Sequence, residues 1–272
     1  MLRNYSIDVL RFLAAILVVF LHTPIYWGRE FILPITRCAV PLFFIISGYY
    51  LFNKDVKILS SRLRKSISKT FFILCYSSLV YAAFSLLRMI FTNYDLVLDT
   101  QSLVNFLLFN VNPFGFHLWY LQAFIYALII ILFFCKLNIL RCIFLCIPLL
   151  LSVDLIFGKY SLLFLGREFP YIYLRNFLFV GLPYVSLGLL IKKYEKKILK
   201  VFSVWIGLVI VGALISVSEY CLLDFFSLNA TRDHYVGSTI LSISLFLAFL
   251  NYKKTEPTVC SQLGKRLSLD IY

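Results

Sequence analysis

The stretch Ser6–Thr23, SIDVLRFLAAILVVFLHT, decides the fold. Between Arg11 and His22 run ten uninterrupted apolar residues, and the apolar segment as a whole covers about 7–26. Roughly 20 such residues carry a helix across about 30 Å of hydrocarbon. Arg3 precedes the run, but no small-residue cleavage site follows it. The segment is therefore expected to be a retained first membrane helix and not a leader.

Similar segments recur near 31–52, 70–91, 117–135, 139–157, 171–191, 201–218 and 235–250. Of the 272 residues, 61% are hydrophobic and 14% charged, with mean hydropathy +0.90. A soluble domain is about half apolar and a quarter charged, so this composition excludes one. The 28 Phe and 18 Tyr suit lipid-facing and interfacial positions. The piece from Gln101 to Val111 is too short to span and is placed in the interface. No repeat is visible. The fold class is thus an all-α, polytopic transmembrane helix bundle.

Loop charge orients it. Lys54, Lys57, Arg62, Arg64, Lys65 and Lys69 follow the second segment, and Lys136 and Arg141 the fourth. Lys192, Lys193, Lys196, Lys197 and Lys200 follow the sixth, and Lys253, Lys254, Lys265 and Arg266 the eighth. Asp95, Asp99, Glu168, Glu219, Asp224 and Asp233 occupy the intervening loops. Basic clusters hold loops in the cytoplasm, and their alternation predicts about eight complete spans with a cytoplasmic N-terminus. Residues 1–272 read as a single domain. Its end, LGKRLSLDIY (Leu263–Tyr272), reads as a loop and the start of a further span, so a final helix is expected to be missing.

The net charge of +13 sits in these loops, which assigns it to orientation and not to a nucleic-acid partner. Most of the seven cysteines, among them Cys75, Cys135, Cys142 and Cys146, lie in apolar stretches without His or carboxylate at ligand spacing. They are expected to be small packing residues, and no metal is expected.

Ionisable groups inside membrane segments are costly and point to function. Arg11 and His22 are eleven residues apart, about three turns plus 20°, which places both on one helix face roughly 16 Å apart. Asp8 is placed to pair with Arg11. Such a stripe is expected to face the bundle interior, and His22 is the group able to accept and return a proton. On spacing alone, two snorkelling interface residues fit as well. Arg37, Arg88, Asp154 and Arg175 lie in or beside spans without an assignable role.

These residues resemble the membrane acyltransferase-3 family, whose first helix carries an Arg, ten residues, then a His. PLFFIISGYYLF (Pro41–Phe52), with Ser47 and Gly48, resembles its second-helix motif. Arg62-Leu-Arg64-Lys65 resembles its paired basic motif, and His117-Leu-Trp119-Tyr-Leu121 its His-x-Trp motif. The family's Pro opening the third helix is missing, since ISKTFF stands there. The resemblance implies an O-acyltransferase, most simply an O-acetyltransferase, of the bacterial cytoplasmic membrane. It would use acetyl-CoA or another acyl-CoA as co-substrate, with no bound cofactor, and acylate a hydroxyl of an envelope polysaccharide or lipid-linked acceptor. Catalysis would fall to His22 and Arg11, and donor binding to Arg62, Arg64 and Lys65. Asp8, Ser47, Gly48, His117 and Trp119 would support them. Ser47-Gly48 also fits simple close helix contact, and Trp119 an interfacial belt.

Two other classes stay open. A transporter or flippase of envelope precursors would use Arg11 and His22 as a polar pathway. A degenerate, non-catalytic copy would use neither.

Overall fold

The computed structural model describes residues 4–24, 27–92, 99–198, 202–252 and 256–269. Arg3, Asp95, Lys200, Lys253, Lys254 and the last residues, 270–272, lie outside them. Among the described residues there are helices and no strand. The chain runs α1 (Tyr5–His22), α2 (Arg29–Thr36), α3 (Ala39–Leu51), α4 (Val56–Phe91), α5 (Thr100–Phe109) and α6 (Trp119–Lys136). It continues as α7 (Leu140–Asp154), α8 (Ser161–Leu165), α9 (Leu182–Ile198), α10 (Phe202–Phe225), α11 (Val236–Asn251) and α12 (Val259–Leu269).

By length and composition, seven helical stretches of the described residues can cross a bilayer. They are Tyr5–His22, Arg29–Leu51, Val56–Phe91, Phe116–Lys136, Leu140–Lys159, Phe177–Ile198 and Ser203–Phe225. The last expected span is α11, which has 16 residues and falls short of the usual length. Its start is set by Tyr235, whose extended backbone N–H donates to Ser238 Oγ at 2.9 Å. α11 nevertheless returns along α10, with Gly212 against Leu241 and Gly237 against Ser216.

α4 departs from expectation. The basic stretch after residue 53 is not a loop but the opening turns of a 36-residue helix, about 54 Å long. Asp55 caps it, its carboxylate accepting from Lys57 N at 2.8 Å and Ile58 N at 3.4 Å. With no proline near residue 70, nothing interrupts the backbone ladder. Leu59, Leu63, Ser66, Thr70 and Leu74 are buried on one face, at helical spacing. Arg62, Arg64 and Lys65 are exposed.

Residues Leu263–Leu269, expected as a loop and the start of a further span, belong to α12, which packs across the start of α1. A Cβ at Gly264 would fall 1.8 Å from the Asp8 carbonyl oxygen. At this basic end Asn4 Nδ2 also donates to Leu250 O at 3.2 Å, and Lys192 Nζ to Glu195 Oε2 at 2.7 Å and to the Tyr49 hydroxyl at 3.0 Å.

α3 and α9 form the centre. A Cβ at Gly48 would lie 2.0 Å from Val185 O, and one at Gly188 2.1 Å from Ile45 O. Only glycine permits this approach, and Phe44, Ile45, Val185, Leu189, Phe124 and Phe246 close the core around it. Large apolar side chains point outward instead on α4 and α7, among them Phe72, Tyr76, Leu79 and Leu145. An exterior of that kind belongs in lipid. Cys135 is buried as expected, whereas Cys75, Cys142 and Cys146 are exposed on the same outward faces and pack in no core.

Candidate functional site

At the basic end, Arg11 Nη1 lies 3.0 Å from Asp8 Oδ1, both side chains being almost fully buried. The guanidinium stands over the Tyr50 ring, 5.1 Å from its centroid. Tyr50 O, with Phe52 O, accepts from Arg62 Nη1 at 3.3 and 3.2 Å. Two expected site residues are thus joined through Tyr50, but Arg62 serves as a cap for the carbonyl end of α3. Arg64 and Lys65 remain exposed on α4.

Ser47 donates its hydroxyl to Phe43 O at 2.6 Å, one turn back in α3. Gly48 forms the contact with α9 described above, so of this pair it is Gly48 that sets the helix contact.

His22 ends α1 and is exposed, which corrects the expectation that its whole stripe faces the bundle interior. The buried residues of α1 end at Ala14. His22 borders a cavity of about 260 Å³ with Phe20, Thr23, Pro24, Arg29 and Leu33. Arg11 is about 16 Å away along the axis, so the two do not touch. The nearer partner is His117, close enough for the two imidazoles to interact electrostatically. His117 packs edge-on against Tyr81, 4.6 Å between centroids.

The same end holds a charged cluster that the sequence did not assign. Asp233 pairs with Arg37, and with Arg175 Nε at 3.2 Å. Arg175 in turn lies over the rings of Phe116 and Trp119, 4.8 and 4.6 Å from their centroids. Trp119 is buried and is therefore no interfacial belt residue. His234 Nδ1 is 2.8 Å from Asp154 Oδ2, and both are buried. Lys159 Nζ donates to Ala230 O at 2.7 Å, and Arg232 lies 3.8 Å from Glu168. Burial pushes the Asp233 carboxyl up, but the charges of Arg37 and then Arg175 outweigh it and hold it at about 2.

Backbone irregularity shapes this region. α7 passes at Asp154 into a π-turn, Leu155–Lys159, in which Gly158 is non-helical. A second π-turn, Phe177–Gly181, precedes α9 and is capped by Asn176, which accepts from Leu178 N at 2.9 Å. Such turns recur at functional sites. Between them opens a cavity of about 280 Å³ lined by Asp154, Arg175, Arg232, Asp233 and His234.

One signal could have found the cluster. Arg37, Asp154, Arg175 and Asp233 each sit at a span terminus, and alternation of span direction puts all four termini at one end. His234 and Lys159 carried no motif. Among the described residues no group of His, Cys, Asp and Glu could hold a metal ion.

An apolar exterior around paired internal charges defines a multi-pass membrane protein. The chain belongs to the acyltransferase-3 family, whose acyltransferase domain matches residues 4–272. Among curated proteins, an amino-acid racemase of Enterococcus faecalis is 33% identical over 139 residues, 47% of this chain and 19% of that protein. A serine/alanine racemase of Enterococcus gallinarum is 35% identical over 135 residues, 46% of this chain and 18% of that protein. The match thus covers less than a fifth of either relative's length. No solved structure matches.

Proposed function

We propose that the protein is a bacterial cytoplasmic-membrane O-acyltransferase with eight spans and its N-terminus in the cytoplasm. It moves an acyl group, most simply acetyl, from acyl-CoA to a hydroxyl of an envelope glycan or lipid. The family match over residues 4–272 carries this reading. The basic end supports a donor site, since the exposed Arg64 and Lys65 attract the CoA phosphates while Arg62 holds α3 in place. The pantetheine arm then runs along α1, past the Arg11–Asp8 pair, toward His22.

His22 takes the proton of the acceptor hydroxyl as its oxygen attacks the thioester carbonyl. The ester C–O bond forms, the C–S bond breaks, and the proton passes to the departing CoA thiolate. A transient acyl group on His22 would give the same products. The test is release of CoA thiol from acetyl-CoA by purified protein supplied with an envelope extract. His22→Ala is expected to abolish release while the protein still inserts and purifies. Undiminished release in that variant removes His22 from the reaction.

The two π-turns beside a charged cavity favour one alternative, a transporter of envelope precursors, because interrupted helices line transport sites. Transport without any acetyl-CoA consumption would select it.

A further inference from the structure

The cavity between the two π-turns has a chemistry of its own. It is lined by Arg175, just before α9, and Arg232, just before α11. Arg232 Nη1 donates to Thr231 O at 2.8 Å and Thr231 Oγ1 at 3.1 Å, yet its Nε is buried with no hydrogen-bond partner. Its side chain is only 9% exposed. Arg175 Nε is in ion contact with Asp233 at 3.2 Å, but its N–H makes no hydrogen bond. Buried guanidinium N–H groups without acceptors are expensive, and a carboxylate or phosphate oxygen is the ligand that satisfies them.

His234 supplies the complementary half. With Asp154 ionised and His234 neutral, the 2.8 Å contact puts the imidazole proton on Nδ1. Nε2 is left as an acceptor, and among the described residues no donor bonds to it. A hydroxyl is the neutral group that fits.

We propose that this cavity binds a small compound carrying both an oxyanion and a hydroxyl. Arg175 and Arg232 hold the oxyanion, and His234, oriented by Asp154, accepts the hydroxyl's hydrogen bond. The acyl-transfer reading makes this a seat for the acceptor's oxyanion and for a hydroxyl other than the one His22 deprotonates, and only that last step rests on it. Binding needs no donor, so failure to bind and failure to transfer are separate results.

Trp119 lies against Arg175 and reports on the cavity, so the full chain is titrated with Trp27 and Trp205 replaced by Phe. The probes are glycerate and glycerol 3-phosphate, which carry both groups, then acetate and inorganic phosphate, and glycerol alone. Saturable fluorescence change with glycerate or glycerol 3-phosphate is expected, at least tenfold tighter than with acetate, phosphate or glycerol. The tighter of the two identifies the oxyanion as carboxylate or phosphate. Arg232→Gln and Arg175→Gln should each weaken binding at least tenfold, with Arg232→Lys recovering part of it. His234→Gln should reduce glycerate to the affinity of acetate and leave acetate unchanged. Normal size-exclusion elution of each variant certifies folding. No saturable change with any probe, or wild-type affinity in Arg232→Gln, overturns the site. Equal affinity for acetate and glycerate overturns the role of His234.

Discussion

The guanidinium of Arg175 rests on the indole of Trp119, 4.6 Å from its centroid, and reaches Asp233 from there at 3.2 Å. The His-x-Trp motif is thereby tied to the ion pairs that join the loop before α11 to Arg37, at the foot of α3. A cation over Trp contributes about 2 kcal/mol when desolvated, and truncating a buried Trp costs about 3–5 kcal/mol. Trp119→Ala should lower the thermal midpoint of the detergent-solubilised protein sharply, and Trp119→Phe should recover most of the loss. Equal losses in the two variants would mean that the ring face has no part in it.

Gly188 is pressed against α3, where a Cβ would lie 2.1 Å from Ile45 O and 2.6 Å from Tyr49 N. Both are backbone atoms and cannot swing aside. Gly188→Ala should destabilise the bundle by about 3 kcal/mol or more, the upper end of overpacking costs. Gly207 in α10 has nothing within 4 Å of its Cβ position. Gly207→Ala should therefore be neutral or gain up to about 1 kcal/mol of helix propensity. Denaturation midpoints of the two variants decide the point, and similar values would refute the close α3–α9 contact.

Asp233 makes stability depend on acid. Its carboxyl is held at about 2 in the folded protein, against about 3.9 in an unfolded chain. A depressed folded value stabilises fully above the unfolded one and is lost as pH falls through the folded one. Between about pH 4 and pH 2 the wild-type protein should lose roughly 2 kcal/mol from this group. Asp233→Asn should show a correspondingly flatter profile over that window, read as thermal midpoint against pH. A profile as steep as that of wild type would assign the acid sensitivity to other carboxylates.

Arg62 and Arg64 belong to one motif but should behave differently. Arg62 donates to the last carbonyls of α3, so Arg62→Ala should cost about 1 kcal/mol of stability. Arg64 is exposed, and Arg64→Ala should leave stability unchanged while raising the KM for acetyl-CoA, most strongly at low salt. A KM effect confined to Arg62→Ala would reverse the assignment.

What could be read from the chain was what each helix carries by itself. The apolar run Phe12–Leu21 marks α1 as a span, and the lysines from Lys192 to Lys197 mark the basic end of α9, because length, apolarity and terminal charge are local properties. The unbroken course of α4 was also written there, as the absence of a proline near Thr70. Tertiary structure alone decided which polar groups meet. Arg37, Asp154, Arg175 and Asp233 come from four separate segments and converge only once the glycine contacts between α3 and α9 set the spacing of the bundle. The turns at Leu155–Lys159 and Phe177–Gly181 follow Asp154 and Arg175, which line one cavity. Which residues share a cavity depends on neighbouring helices, so no periodicity within a single helix encodes it. The same reason separates the two ends of the Arg11–His22 stripe. Spacing put both on one face, but only packing against α3 and α12 buries Arg11 and leaves His22 open.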